Sequence, residues 1–178
     1  MEEQRSVEQR AARVTLLLMD CDGVLTDGRI WILESGEDQK CFNTRDGLGL
    51  DLLHRAGLRS GIISGRESSA VLRRSQSLGM SFVRQGCENK LAAFEEILGE
   101  AGVSESEVAF IGDDLNDVPL MRRSEFAVAV ADAVSEAKVY AHFITTASGG
   151  NGAVRETVEL ILKAQDRWSD LIRPYLID

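Results

Sequence analysis

Short apolar runs alternate with amphipathic stretches along this chain, and each run stops at glycine or at a polar cluster. The first run, residues 14–19, is continuous and closed by "DCDG", the pattern of a buried strand near the centre of a sheet. "RIWILESGEDQKCFNT" follows, with two extended, aromatic and β-branched arms around "ESGED". It predicts a protruding β-hairpin flap over about residues 29–44, carrying Trp31 and Phe42. In residues 47–56, Leu48, Leu52, Leu53 and Ala56 recur at helical spacing, and Gly57 is placed to stop the helix. "RSGII", "SFV", "EVAFI", "FAVAV" and "HFITT" then read as strands. Residues 67–78 and 90–101, "VSEAKVYA" and residues 152–165 read as helices.

Strands alternating with helices imply an α/β fold, a Rossmann-like, doubly wound parallel sheet covered on both faces. The 178 residues suit a single domain over 1–178, with residues 152–178 forming a last helix and tail. No internal repeat or linker interrupts it. A composition of 44% hydrophobic and 28% charged residues with two prolines is that of a folded globular chain. The net charge of −9 offers no basic face for nucleic acid. The longest apolar run falls far short of the roughly 18 residues of a membrane span, and the first residues carry no apolar signal core. A cytoplasmic protein is expected. Cys21, Cys41 and Cys87 are odd in number and lack metal-type spacing, as for free thiols that pack in a reducing cytosol.

Candidate chemistry collects where strands end. Asp20 and Asp22 follow the first strand, Ser64 the second, and Asp113, Asp114 and Asp117 a later one, while Lys90 opens a helix. In a doubly wound sheet those ends converge on one crevice. Carboxylates crowded there would raise each other's pKa values, a conflict that a hard divalent ion removes, and Mg²⁺ suits oxygen ligands best. Residues two apart on a continuing strand point to the same side, so Asp20 and Asp22 can face one phosphate while Cys21 turns away. The parts then fit phosphoryl transfer: one carboxylate attacks, another handles the leaving-group proton, and a hydroxyl and an ammonium hold phosphate oxygens. Taken singly, each has a plainer reading as an Asp/Gly turn, a helix cap or a solvated lysine. All four in order outweigh those readings. His54 and His142 lie beside neither nucleophile nor metal cluster and read as structural.

"DCDGVLTDG", "IISGR", Lys90 and "GDDLND" resemble, in order, the four motifs of the haloacid dehalogenase-like phosphatases, over nearly the whole chain. The resemblance implies Asp20 as nucleophile, forming an aspartyl phosphate, and Asp22 as general acid and then base. It makes Ser64 and Lys90 phosphate ligands, and has Mg²⁺ held by Asp20, the Asp22 carbonyl and Asp113. Asp114 would act through a water, and Asp117 would orient its neighbours. No segment leaves room for the cap domain that many of these proteins carry. "SGEDQKCFNTRDGLGL", "QGCENKLAAFEEIL", "GDDLNDVPLM" and "GGNGAVRE" further resemble the 3-deoxy-D-manno-octulosonate 8-phosphate phosphatases, an uncapped, tetrameric family of lipopolysaccharide sugar synthesis. That resemblance implies a homotetramer packed through its hairpins, with substrate contacts near Thr44, Gly65, Arg66 and Arg74. Arg66 separately suits a sugar-acid carboxylate, which a guanidinium grips in a bidentate fork. The near alternative is a phosphatase for nonulosonate 9-phosphates, where an acidic residue tends to stand in the place of Arg66. Two readings come from other classes. A phosphate-accepting receiver domain leaves Asp22 and "GDDLND" less well explained, and a noncatalytic assembly module needs no proton donor.

Overall fold

A computed structural model describes residues 5–36 and 38–176. Its strands are β1 (Leu16–Met19), β2 (Trp31–Ile32), β3 (Asp38–Gln39), β4 (Arg59–Ile63), β5 (Phe82–Arg84), β6 (Val108–Gly112), β7 (Phe126–Ala129) and β8 (Phe143–Ile144). β2 and β3 pair antiparallel as a separate hairpin, Trp31 opposite Gln39. The other six form one parallel sheet in the order β5-β4-β1-β6-β7-β8. The chain therefore winds outward from β1 in one direction, returns, and winds outward from β6 in the other. Between β1 and β6 the order reverses, and there the connections part to leave a crevice beyond the strand ends.

The central strands are apolar without alternation, as a sheet covered on both faces requires: every residue of β1, β6 and β7 is buried. The cover comes from α1 (Val7–Ala11), α2 (Thr44–Arg55), α3 (Ser69–Ser77), α4 (Lys90–Ala101), α5 (Val118–Arg123), α6 (Ser135–Tyr140), α7 (Ala153–Ala164) and α8 (Trp168–Ile172). α1, α2 and α7 pack together on one side, and α4, α5 and α6 on the other. Among the described residues no helix is long and apolar enough to cross a membrane.

α2 begins three residues before the periodicity predicts, because Asn43 caps it by accepting the Arg45 N–H at 2.8 Å. Its inward face is Gly47, Gly49, Leu50, Leu52 and Leu53, whereas Leu48, expected inside, is exposed. The glycines set the contact with α7: a Cβ on Gly49 would lie 3.2 Å from the Arg155 Cα. That closeness lets the buried Asp46 carboxylate accept the Arg155 N–H at 2.8 Å, supplying the cap that Gly152 lacks a side chain to provide. Phe42 does not sit on the hairpin. It packs against the core, with the Arg74 guanidinium 5.8 Å from its ring centroid. The cysteines are free, but only Cys21 is fully buried; Cys87 is partly buried and Cys41 is exposed, so packing does not explain all three. α1, α5 and α8, at five or six residues each, are short helices that the pattern does not predict.

Both histidines are structural. His54 Nε2 meets Ser60 Oγ at 2.8 Å, and His142 Nδ1 accepts the Ala127 N–H at 2.9 Å. Burial pushes both imidazoles below the ordinary histidine value of about 6.5. The folded chain keeps them neutral while the unfolded chain takes up protons first, so their contribution is present above about pH 6.5 and lost below it. NMR titration should place both midpoints below about 6.5. His142→Asn, whose amide oxygen can replace Nδ1 as acceptor, should remove part of the fall in melting temperature between about pH 7 and 5.5. An imidazole titrating above its ordinary value would contradict this account.

Candidate active site

β1 ends at Met19, and Asp20 extends it by one bond, its N–H donating to the Ile111 carbonyl of β6 at 3.0 Å. The chain then turns sharply. The N–H groups of Val24, Leu25 and Thr26 converge on the Cys21 carbonyl at 3.3, 3.0 and 3.0 Å. The two acids are therefore brought to one crevice by this turn and not by strand alternation, which stops one residue too early. Cys21 is buried, as expected of a packing residue. Gly23 has φ +94° and faces Asp113, whose Oδ2 would lie 2.1 Å from any Cβ there. Only glycine admits that carboxylate.

The crevice, about 190 Å³, is lined by Asp20, Asp22, Ser64, Gly65, Arg66, Lys90, Asp113, Asp114 and Asn116. Eight of these nine are expected from the sequence; Asn116 was passed over although it lies inside "GDDLND". Lys90, first residue of α4, is buried, with Nζ 2.9 Å from Asp20 Oδ1 and 2.8 Å from Asp117 Oδ1. Asp117 lies beneath the floor, fully buried, and its Oδ2 accepts the Asp113 N–H at 3.0 Å. It fits there because Gly112 has no side chain: a Cβ would approach the Asp117 Cβ to 2.6 Å. Ser64 follows β4, tied by its N–H to the Arg84 carbonyl at 2.9 Å, and its Oγ accepts the Arg66 N–H at 3.3 Å. Asp114 stands at the exposed rim, Oδ1 accepting the Leu115 N–H at 2.7 Å.

Asp22 is flanked by two cations. Arg66 Nε lies 3.8 Å from Oδ2, and Lys40 Nζ donates to Oδ1. Lys40 had no signal in the sequence, being one polar residue in a polar hairpin arm. Thr44 and Arg74 do not line the crevice. Thr44 is exposed at the start of α2, and Arg74 lies on α3 against Phe42 and Gly47.

Carboxylate crowding governs the electrostatics. Burial, reinforced by the charge of Asp117 and opposed by Lys90, pushes Asp20 up to about 6. Burial, then Asp117, Asp20 and Asp114, push Asp113 up to about 8. Burial works against the Lys90 ammonium, and the carboxylates of Asp117 and Asp20 outweigh it and hold its pKa above the ordinary lysine value. One oxygen from each of Asp20, Asp113 and Asp117 lies within 4.8 Å of the others. Both oxygens of Asp117 already have protein donors, but Asp113 Oδ1 is buried without a hydrogen-bond partner. An all-oxygen donor set with an orphaned carboxylate oxygen fits a hard divalent cation.

The pattern of the haloacid dehalogenase-like hydrolases matches residues 63–156. The 3-deoxy-D-manno-octulosonate 8-phosphate phosphatase KdsC of Yersinia pestis is 44% identical over 161 residues, covering 90% of this chain and 86% of the relative. The protein of the same name from Escherichia coli K12 is 40% identical over 158 residues, 89% of this chain and 84% of the relative. The crystal structure of the Moraxella catarrhalis 3-deoxy-D-manno-octulosonate 8-phosphate phosphatase, in complex with magnesium ion, phosphate ion and KDO, superposes with a TM-score of 0.93 at 40% identity, over 95% of this chain and 97% of that one. With identity sustained across nine-tenths of its length, this phosphoric monoester hydrolase belongs to the 3-deoxy-D-manno-octulosonate 8-phosphate phosphatase family of the haloacid dehalogenase-like hydrolases.

Proposed function

We propose that the chain hydrolyses 3-deoxy-D-manno-octulosonate 8-phosphate to the free sugar acid and phosphate through an aspartyl phosphate on Asp20, with Mg²⁺ as its ion. The observation that carries this reading is the division of labour between two carboxylates on one crevice. Asp20 is buried and salt-bridged to Lys90, as a positioned nucleophile must be, while Asp22 stands at the more open side between Lys40 and Arg66. The substrate in the names of the relatives, and the ligands of the Moraxella protein, support the substrate and the ion.

Asp20 attacks phosphorus and the sugar oxygen leaves, taking the proton held by Asp22. Lys90 and the Ser64 hydroxyl hold phosphate oxygens as the charge on them shifts. Asp22, now a base, takes a proton from the water that attacks the aspartyl phosphate, which releases phosphate and restores Asp20. Asp117 keeps Lys90 aimed and holds the Asp113 backbone in place. Asp20, the Asp22 carbonyl and Asp113, with Asp114 through a water, would hold the ion, which supplies the positive charge that lets an anionic carboxylate approach an anionic phosphate. Arg66, half exposed at the mouth, would grip the sugar-acid carboxylate, with Gly65 beside it and Thr44 and Arg74 as outer contacts.

Beyond the site, we read residues 1–178 as one domain and the assembly as a homotetramer. Trp31 and Ile32 are 67% and 74% exposed on a two-stranded hairpin, an element marginal in water without a partner surface. The three unpaired thiols support work in the reducing cytosol of a lipopolysaccharide-making cell.

Asp20→Asn should lower turnover about a thousandfold or more with the fold intact, because an amide is no nucleophile. Near-parental phosphatase activity in that variant would refute the mechanism. For specificity, kcat/KM measured with Mg²⁺ should favour the octulosonate 8-phosphate over a nonulosonate 9-phosphate. Arg66→Glu should lose about tenfold or more on the sugar-acid substrate, and much less on p-nitrophenyl phosphate, which lacks the carboxylate. Equal losses on both would mean damage to the chemistry instead. Asp113 sets stability against function. Its raised pKa means the folded chain holds this proton more tightly than the unfolded one, so stability is lost as pH rises toward about 8. At alkaline pH in chelator, Asp113→Asn should raise the melting temperature by about 2–4 °C, the shift for ~1 kcal/mol at this size, and abolish the further rise on adding Mg²⁺. An unchanged response to Mg²⁺ would remove Asp113 from the ion site.

A further inference from the structure

Lys40 directly follows β3, between the exposed Gln39 and Cys41, yet its side chain is 1% exposed. Its ammonium donates to Asp22 Oδ1 and lies 3.4 Å from Asp38 Oδ2. Asp38 Oδ1 in turn accepts the Ser68 hydroxyl at 2.9 Å, and Ser68 Oγ accepts the Val71 N–H at 3.4 Å as the cap of α3. A continuous polar chain thus runs from α3, through the hairpin, to the acid. On the opposite side, Arg66 approaches Asp22 Oδ2 from a half-exposed position.

The two cations are not equivalent. Arg66 can swing toward a substrate carboxylate without uncovering anything, because most of it is already in water. Lys40 cannot leave: a buried ammonium parted from its carboxylates would lose both Coulomb partners and gain no hydration. A group that gives a proton to an alkoxide and later takes one from water needs the same orientation in both steps. A buried, charge-assisted hydrogen bond supplies such a fixed orientation.

Resting on the reading of Asp22 as proton carrier, we propose that Lys40 is a positioning residue. It holds the Asp22 carboxylate toward the leaving oxygen, while Asp38 and Ser68 behind it tie the hairpin to α3. An ion pair that merely pinned the hairpin would behave differently. Loss of Lys40 or of Asp38 would then have the same consequence, and the nature of the leaving group would be irrelevant.

Leaving-group chemistry separates the two. A sugar alkoxide needs a proton to depart, whereas p-nitrophenolate departs as a stable anion. Lys40→Met, similar in length and apolar, should lower kcat on the octulosonate phosphate about tenfold or more while KM stays within about threefold. Single-turnover phosphoryl transfer from p-nitrophenyl phosphate should fall about ten times less than that. Added to Asp22→Asn, the substitution should cost no more than about a further twofold, because the group it positions is gone. Asp38→Asn, which keeps the Lys40–Asp22 contact, should lose much less than Lys40→Met. Equal losses on the two substrates, or losses that multiply in the double variant, would overturn the proposal while leaving Asp22 in its role. Near-parental turnover of Asp22→Asn itself would remove both. If Lys40→Met does not fold, as read from its melting curve, Lys40→Arg carries the same comparison: it should keep most of kcat on both substrates, and a loss equal on both would again refute the positioning role.

Discussion

One ammonium holds the site together. Lys90 sits at the first position of α4, buried, with Asp20 and Asp117 both within hydrogen-bond reach. Without it two carboxylates would face each other beneath the sheet edge, with only backbone N–H donors to offset the desolvation that burial imposes on each. With it, Asp117 is fixed as a brace whose second oxygen holds the Asp113 N–H, and Asp20 is fixed as a carboxylate with one oxygen left to act. Two strand ends, those of β1 and β6, and one helix start are thereby joined through a single cation. The remaining imbalance falls on Asp113, whose Oδ1 is buried without a donor. Protein charges alone leave the cluster short of positive charge, and that deficit is what makes it a cation site.

Close approach is the second constraint, and glycine meets it. Gly23 and Gly112 stand where Asp113 and Asp117 must enter, and Gly149 lies so near the β1 turn that a Cβ would fall 1.7 Å from the Gly23 carbonyl oxygen. The Gly150 N–H then closes this contact on the Val24 carbonyl at 2.9 Å. The "GGNG" stretch before α7 and the "DGVLTDG" turn after β1 therefore form one packed unit. Far apart in sequence, they share no periodicity that would pair them.

The six-stranded sheet was legible because its strands are apolar runs ended by polar residues, and Asp20, Asp22, Ser64 and Asp113 were legible because they follow those ends, with Lys90 opening a helix. The misses have local causes. Leu48 fits a helical stripe as well as Leu50 does, and only the glycine-lined contact with α7 turns one outward and the other inward. Phe42 shares its composition with the hairpin but belongs to the segment that packs on the body. Lys40 could not be found because its importance comes from a fold-back: the hairpin arm returns its ammonium to an acid 18 residues earlier. No spacing rule encodes that return.

The crevice has a buried floor and an open rim. Its floor is buried at Asp20, Ser64 and Lys90, and its rim opens to solvent at Arg66, Asp114 and Asn116. The proposed function therefore separates chemistry from recognition in space. On the proposed reading, the buried floor handles phosphorus in a way any phosphate ester would satisfy, and discrimination between sugars falls to Arg66 and the hairpin above the rim. The hairpin reaches both zones, exposed at its apolar tip and anchored by Lys40 to Asp22 at its base. If Asp22 carries the proton as proposed, contact made at the hairpin tip has a path through Lys40 to that carboxylate.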